Sequence, residues 1–223
     1  MPVITAIEPQ QHDPDRVNID LDGRFGLGVA LMLVMARGLT VGRELTDADV
    51  ENLRHDDSIE KAHAAALNFL SYRPRSRREV ELRLARSGTE QSVVEAVVGR
   101  LERTGLLDDG AFARFWVDNR QSFRPRGKLA LRAEMRQKGL ANEVIDEALE
   151  SVGDEAEAAY EAGIAKVRSY RSLDDREFLR RMIAYLQRRG FTYGVAGPAA
   201  KRLMSERCQS EPRDIVERPD PPA

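Results

Sequence analysis

The sequence has few of the residues from which catalytic and metal sites are usually built. Among its 223 residues there are three histidines and one cysteine, Cys208. A single cysteine excludes an intramolecular disulfide and a cysteine-rich metal site. His12, His55 and His63 have no partners at ligand spacing. We therefore expect no catalytic residues, no metal and no cofactor, and a protein that is not an enzyme.

Long apolar segments and aromatic residues are also scarce. The apolar stretch Leu27 to Ala36 is too short to cross a bilayer, and no signal peptide is evident. We expect a cytoplasmic protein without a membrane partner. Aromatic residues make up 6% of the chain and charged residues 32%, a composition that favours helices over sheets.

The net charge of −2 conceals a strong asymmetry along the chain. Residues 1–60 hold 5 Lys/Arg against 12 Asp/Glu, residues 61–139 hold 17 against 9, and residues 140–223 hold 13 against 16. A basic middle indicates a polyanionic surface or an acidic protein as partner. For any one arginine, a solvated helical face is the alternative interpretation.

One period dominates the sequence: Gly88, Gly139 and Gly190 follow one another at intervals of 51 residues. When three segments are aligned on these glycines, apolar residues share columns at helical spacing, and each glycine falls where a left-handed helix cap is expected. The middle helices share the columns Val80/Leu131/Met182 and Leu84/Met135/Leu186, and the third helices share Val93/Val144/Val195, Val94/Ile145/Ala196 and Leu101/Val152/Leu203. The sequence thus predicts three copies of a three-helix unit with a basic turn and a basic middle helix.

The region before the repeats has the alternating pattern of strands. Residues 2–9 and the alternation through Val17, Ile19 and Leu21 predict two strands, and Asp22-Gly23 predicts a type I′ turn into a third. The helical patterns that follow predict a short helix from about Ala30 to Arg37, then two separate helices, Asp47 to Arg54 with Thr46 as N-cap, and Ser58 to Tyr72.

The predicted fold is mainly α. Three tandem three-helix repeats, helix-turn-helix-like, form an elongated curved array, preceded by a small N-terminal β-hairpin or meander with short helices. The expected divisions are residues 1–57 for the extension, 58–104, 105–153 and 154–206 for the repeats, and 207–223 for a disordered tail.

The repeats carry motifs that resemble the RecX family. The motifs are Ala66-Leu67…Leu70-Ser71-Tyr72-Arg73…Ser76…Glu79-Val80…Leu84, Gly105-Leu106-Leu107-Asp108-Asp109…Phe112-Ala113…Phe115, Arg126-Gly127…Leu131…Glu134-Met135…Lys138-Gly139-Leu140 and Leu186…Arg189-Gly190-Phe191. They span roughly residues 60–204 in the family's order and spacing, and the N-terminal extension is similar to that of longer RecX proteins. Arg124-Pro125-Arg126-Gly127 departs from the family's usual Gly-Pro turn by an additional arginine.

The resemblance implies a regulator of the RecA recombinase. Such a protein binds the RecA–single-stranded-DNA filament in its groove and mostly inhibits ATP hydrolysis, strand exchange and coprotease activity, which places it in homologous recombination and the SOS response. The expected partners are the RecA filament and, through basic faces, single- and double-stranded DNA, and the protein is expected to be a monomer. The alternative is a DNA-binding helix-turn-helix regulator that acts without RecA, which the differing polar residues of the three middle helices disfavour.

Basic residues of the turns and middle helices are the candidate partner-binding residues, because guanidinium groups bind carboxylates and phosphates in a bidentate manner. The candidates are Arg73, Arg75, Arg77, Arg78, Arg120, Arg124, Arg126, Lys128, Arg132, Arg136, Lys138, Arg180, Arg181, Arg188 and Arg189. The alternative is that many of them only solvate helices or pair with nearby acids. Phe112, Phe115 and Trp116 are expected in the core, and Asp108-Asp109 is better explained by helix capping than by a metal.

Overall fold

The computed structural model describes residues 1–209. The chain divides into two compact units, Met1–Asp108 and a second unit that begins at Asp109. The first contains a sheet and one three-helix repeat, and the second contains two further repeats.

The first unit begins with a three-stranded antiparallel sheet in the order β1 (Ile4–Gln10), β2 (Asp13–Leu21), β3 (Arg24–Ala30). Asp22 and Gly23 have φ angles of 50° and 75°. Two positive φ values in a two-residue loop are what a type I′ turn requires, so the predicted hairpin is confirmed. One face of the sheet is buried under the helices that follow, through Ile4, Val17, Ile19, Leu27, Val29, Leu33, Val34, Leu39, Leu45 and Leu53.

Four helices complete this unit: α1 (Leu31–Arg37), α2 (Asp47–Ser71), α3 (Arg77–Arg86) and α4 (Gln91–Arg103). Thr46 caps α2 in a capping box with Asp49, as expected for an N-cap threonine. The prediction of two separate helices was wrong, because α2 is continuous over 25 residues. The polar residues 55–57 contain no helix breaker, and the boundary expected between residues 57 and 58 lies inside this helix.

Asp57 fixes the middle of α2 to the sheet. Its buried carboxylate accepts two hydrogen bonds from Arg16 on β2, at 2.9 and 3.0 Å, and one from the Ala30 amide, at 3.0 Å. The Lys61 ammonium is 2.9 Å away. Burial opposes the charge of Asp57, but Arg16 and Lys61 outweigh it and lower the pKa of the carboxyl below its ordinary value. Asp57, which lies between the two helices predicted from the sequence, is therefore a structural anchor.

We expect Asp57→Asn to destabilise the first unit by about 2–4 kcal/mol, because Arg16 loses its buried counter-charge. Since the folded pKa is depressed, the stabilisation is complete above the ordinary carboxyl pKa and is lost as the pH falls through the lowered value. Urea unfolding of both proteins between pH 7 and pH 2 tests this.

The matched control is Asp56→Asn, because Asp56 forms an exposed ion pair with Arg37. That change should cost less than about 1 kcal/mol. Equal losses for the two variants would contradict the anchoring role of Asp57.

The second unit holds repeats two and three. Repeat two consists of α5 (Asp109–Phe123), α6 (Lys128–Gln137) and α7 (Asn142–Glu150). Repeat three consists of α8 (Glu155–Val167), followed by a 3₁₀ turn, α9 (Asp175–Arg188) and α10 (Tyr193–Gln209). Helix α10 includes residues 207–209, which were expected to belong to the tail, and Arg207 donates to the Leu173 carbonyl at 2.9 Å. Residues 210–223 lie outside the described part of the chain.

The periodic glycines end the three middle helices in the same way. Gly88, Gly139 and Gly190 have φ angles of 80°, 84° and 89°. In each copy the glycine amide bonds the carbonyl three residues earlier, and the next amide bonds the carbonyl five residues before it. This is the double hydrogen bond of a Schellman cap. The middle-helix columns are fully buried in all three repeats, which confirms the predicted alignment.

Repeats two and three are joined through their backbones. The Gly127 amide, at the start of α6, donates to the Arg189 carbonyl oxygen at 3.0 Å. A Cβ on Gly127 would overlap the Gly190 carbonyl, and a Cβ on Gly190 would overlap the backbone of Ala130. Two glycines are therefore needed where the two turns meet.

We expect Gly190→Ala to destabilise the second unit by about 2–4 kcal/mol, through its positive φ and its overlap with Ala130. Gly88→Ala is the control: Gly88 has a similar φ, but nothing lies near its added Cβ. Its cost should be about 1 kcal/mol in the first unit. Thermal unfolding with hydrogen exchange localises both effects, and equal losses would contradict the close approach of the turns.

Candidate partner-binding surface

Most of the fifteen candidate cations are engaged within the protein. In repeat one, Arg73 lies 3.0 Å from Glu79, and Arg77 lies 2.8 Å from both Glu81 and Glu102. These pairs hold the start of α3 and connect it to α4. Their charges are already compensated, so these arginines are poorer candidates than the sequence indicated.

Arg75 occupies an unusual position in the turn before α3. Its guanidinium lies over the Phe69 ring, 4.0 Å from the centroid, and its Nε is buried without a hydrogen-bond partner among the described residues. Burial, together with the charge of Arg73, lowers the pKa of Arg75. The side chain is held by a cation–π contact, so Arg75 is anchored to α2.

In repeat two, the carboxylate of Glu134 binds several side chains in and beside the basic turn. It accepts hydrogen bonds from Trp116 Nε1 and Arg120 Nε, each at 2.8 Å, and Arg126 lies 2.6 Å from its other oxygen. Two cations also lie over the Trp116 ring, Arg120 at 4.4 Å and Lys138 at 5.1 Å from its centroid. Glu134 of α6 therefore positions residues from α5 and from the turn.

Two other candidates on α6 have partners on α7. Arg132 pairs with Asp146, and Arg136 Nε donates to the Asn142 side-chain oxygen at 3.1 Å. Of the aromatic residues of α5, Phe112 is buried and stacks with Trp116 at 5.7 Å, as expected. The expectation for Phe115 was wrong, because its side chain is 38% exposed. Three residues after Phe112, Phe115 lies at the edge of the face that buries Phe112, Ala113 and Val117.

In repeat three, Glu177 binds two of the predicted cations. Arg180 and Arg181 donate to it at 2.6–2.8 Å, and they lower the pKa of its carboxyl to about 2. Arg189 has a structural role instead. Its Nε donates to the Pro125 carbonyl at 3.1 Å, and its Nη1 lies 2.7 Å from the Tyr185 hydroxyl.

Four candidates have side chains without a hydrogen bond or ion pair in the part of the chain that the structure describes. They are Arg78, Arg124, Lys128 and Arg188. Three of these, Arg124, Lys128 and Arg188, lie within four residues of the bond between Gly127 and Arg189. The exposed apolar side chains Phe123, Leu129 and Tyr193 lie at the helix ends that flank the same two turns. We call Phe123, Arg124, Lys128, Leu129, Arg188 and Tyr193 the two-turn surface.

The sequence indicated the cations of this surface. It did not indicate that their side chains have no acidic partner within the described residues, nor that Glu134 binds the other cations of the basic turn. The useful signal was present: Trp116 and Arg120 lie four residues apart on α5, and an acid, Glu134, lies in the basic helix that follows. A single acid among many bases is a natural centre for them.

Two further features bear on function. Among residues 1–209, no group of three or more His, Cys, Asp or Glu side chains is placed to hold a metal ion. No helix in the described part of the chain has the length and apolar character to cross a membrane.

Comparison with known proteins identifies the family. Models described as the RecX N-terminal domain and the first, second and third three-helix domains of RecX match residues 2–46, 62–101, 108–149 and 153–197. The "Regulatory protein RecX" of Bacillus licheniformis is 30% identical over 220 residues, which cover 98% of this chain and 84% of the relative. The chain belongs to the RecX family.

Other RecX proteins agree with this assignment. The "Regulatory protein RecX" of Bacillus subtilis (strain 168) is 31% identical over 218 residues, which cover 97% of this chain and 83% of the relative. A crystal structure titled as regulatory protein RecX matches with a TM-score of 0.74 and 29% identity, over 87% of this chain and 97% of that one. A RecX structure from Lactobacillus salivarius, at 23% identity and a TM-score of 0.60, covers 66% of this chain and 97% of that one and supports the fold. The predicted family and fold class are confirmed.

If Glu134 positions the basic turn, Glu134→Gln should destabilise repeat two by about 1–3 kcal/mol, because two guanidinium groups and one indole lose their charged acceptor. Trp116 is the only tryptophan of the chain, so its fluorescence reports directly on this change. We expect a red-shifted emission in the folded variant.

Glu143→Gln is the control, because Glu143 is exposed and makes no ion pair with other described residues. It should leave the emission unchanged and lower the stability by less than about 1 kcal/mol, because within the described part of the chain Glu143 interacts only with the helix dipole at the start of α7. An unaltered Trp116 spectrum in Glu134→Gln would refute the positioning role.

Proposed function

We propose that this RecX-family protein regulates the RecA recombinase by binding the RecA–single-stranded-DNA filament in its groove. Bound there, it limits ATP hydrolysis, strand exchange and coprotease activity. The observation that carries the proposal is the match to all four RecX domains in order along the chain. The protein acts by binding and not by catalysis.

The repeated architecture supports binding to a repeating partner. Three copies of one unit present a turn and a middle helix at equivalent positions. Modules linked in one chain gain avidity when their spacing fits successive sites on a filament.

The uncompensated cations are the contacts that we propose for the filament. The proposed contact of repeat one is Arg78. The proposed contacts of repeats two and three are Arg124, Lys128 and Arg188 of the two-turn surface. They face carboxylates of RecA and phosphates of single- or double-stranded DNA. Paired cations such as Arg180 and Arg181 contribute less, because binding a partner would first require them to leave Glu177.

Two triple variants with the same change in net charge test this assignment. Arg124→Gln/Lys128→Gln/Arg188→Gln removes free cations, and Arg132→Gln/Arg180→Gln/Arg181→Gln removes paired ones. The measurement is RecA ATP hydrolysis on single-stranded DNA as each protein is titrated, with circular dichroism as the check on folding.

We expect the free-cation triple to require about tenfold more protein for half-inhibition, since three surface contacts of about 0.5 kcal/mol each sum to one order of magnitude. The paired triple should stay within about threefold of the unaltered protein. Equal effects would show that net charge alone matters and would contradict the assignment.

The same assay with the unaltered protein tests the proposed function itself. If it leaves RecA ATP hydrolysis unchanged at stoichiometric amounts, the proposed regulation is wrong. Tight binding to DNA without RecA, in the same conditions, would favour the alternative of a DNA-binding regulator.

A further inference from the structure

Helix α1 presents an apolar face that nothing in the first unit covers. Leu33 and Val34 are buried against the sheet, whereas Leu31, Met32 and Met35 are 38%, 51% and 75% exposed. The three exposed residues lie at spacings of one, three and four along the helix, so they form one continuous patch. Single exposed apolar residues are ordinary, but a contiguous patch of three long side chains is typical of an interaction site.

The patch is one wall of a groove in the first unit. The groove has a volume of about 620 Å³ and runs between α1, the start of β2 and α2. Ala30 and Ala64 contribute its other apolar surface. None of the fifteen candidate cations lines it.

The charges around the groove do not balance. Its two cations, Arg16 and Lys61, are both bound to Asp57. Its acid Glu60 is bound to Arg100 at 2.7 Å. Asp13 and Asp15 have no ion pair within the described residues 1–209, and they contact each other only through a hydrogen bond from the Asp15 amide to Asp13 Oδ1, at 3.1 Å. Arg16, Lys61 and Asp57 together carry a charge of +1, whereas Asp13 and Asp15 carry −2, so the net charge at the groove is −1.

We propose that this groove is a docking site for a basic amphipathic helix of a partner protein. Such a helix would place its apolar side chains on Met32 and Met35 and its lysines or arginines beside Asp13 and Asp15. Methionine side chains are flexible and polarisable, so they adapt to differently shaped apolar partners, and helix-in-groove binding is a common form of peptide recognition. The negative charge disfavours nucleic acids and anionic lipids. The site goes beyond the proposed function, because it uses none of the cations assigned to the filament.

The methionines of the chain provide a local test. Of the six, Met32 and Met35 lie in the groove, whereas Met135 and Met182 are buried in repeats two and three. The full chain is labelled with ¹³C at its methionine methyl groups and titrated with a synthetic 15-residue helical peptide of leucine and lysine. There are two control peptides. One replaces leucine by serine and keeps only the positive charge, and the other replaces lysine by glutamate and keeps only the apolar face.

We expect saturable shifts of the Met32 and Met35 methyl resonances with the Leu/Lys peptide, without shifts at Met135 and Met182. Asp13→Asn/Asp15→Asn should weaken binding about fivefold at low salt, and less at high salt. Glu8→Gln/Asp20→Asn removes two acids of the same sheet that do not line the groove, and it should bind as the unaltered protein does.

Several outcomes would overturn the proposal. They are unmoved Met32 and Met35 resonances, equal shifts with either control peptide, and unchanged affinity in Asp13→Asn/Asp15→Asn. Shifts that depend on protein concentration without peptide would mean that a second copy occupies the groove. Shifts caused by anionic lipid vesicles would mean a membrane surface instead.

Discussion

The left-handed glycine at the end of each middle helix is the constraint on which the repeats depend. The cap reverses the chain within three residues, so the third helix packs against the other two and the middle-helix columns become buried. In repeat three the same glycine has a second role. Gly190 lies against the turn at Gly127, and an added Cβ would disturb both the cap and the contact between repeats. One small residue thus serves local geometry and the joining of two modules.

The positions of the carboxylates determine which of the many basic side chains are paired and which remain uncompensated. Glu134 binds Arg120 and Arg126, and Glu177 binds Arg180 and Arg181. Counting arginines along a helix overstates a binding surface, because a paired cation has lost much of its attraction for an external anion. Two acids lie at these turns, because Glu134 binds Arg126 and Glu155 accepts a hydrogen bond from the Lys128 amide at 2.8 Å. What distinguishes Arg124, Lys128 and Arg188 is that no acid of residues 1–209 pairs with their side chains, and that property depends on how α5, α6 and α9 are placed.

Sequence reasoning predicted the features that depend on short-range chemistry. The Asp22-Gly23 turn and the buried columns follow from backbone conformation and helical periodicity. It did not predict that α2 is continuous, because residues 55–57 look like a polar linker until Arg16, 41 residues away from Asp57, supplies the partner. The roles of Glu134 and Arg189 and the exposure of Phe115 also depend on tertiary contacts, which no local pattern encodes.

The anchor at Asp57 and the groove beside α1 are parts of one arrangement. Arg16 and Lys61 line the groove, and without Asp57 their two charges would cancel those of Asp13 and Asp15. Because the buried carboxylate neutralises only one of these two cations, the two charges of Asp13 and Asp15 are both needed to leave the groove negative. The ion pair between Arg16 and Asp57 therefore holds the sheet against α2 and also keeps the groove negative. The basic turns of the repeats have the opposite charge, so one chain can present two surfaces that attract partners of different charge.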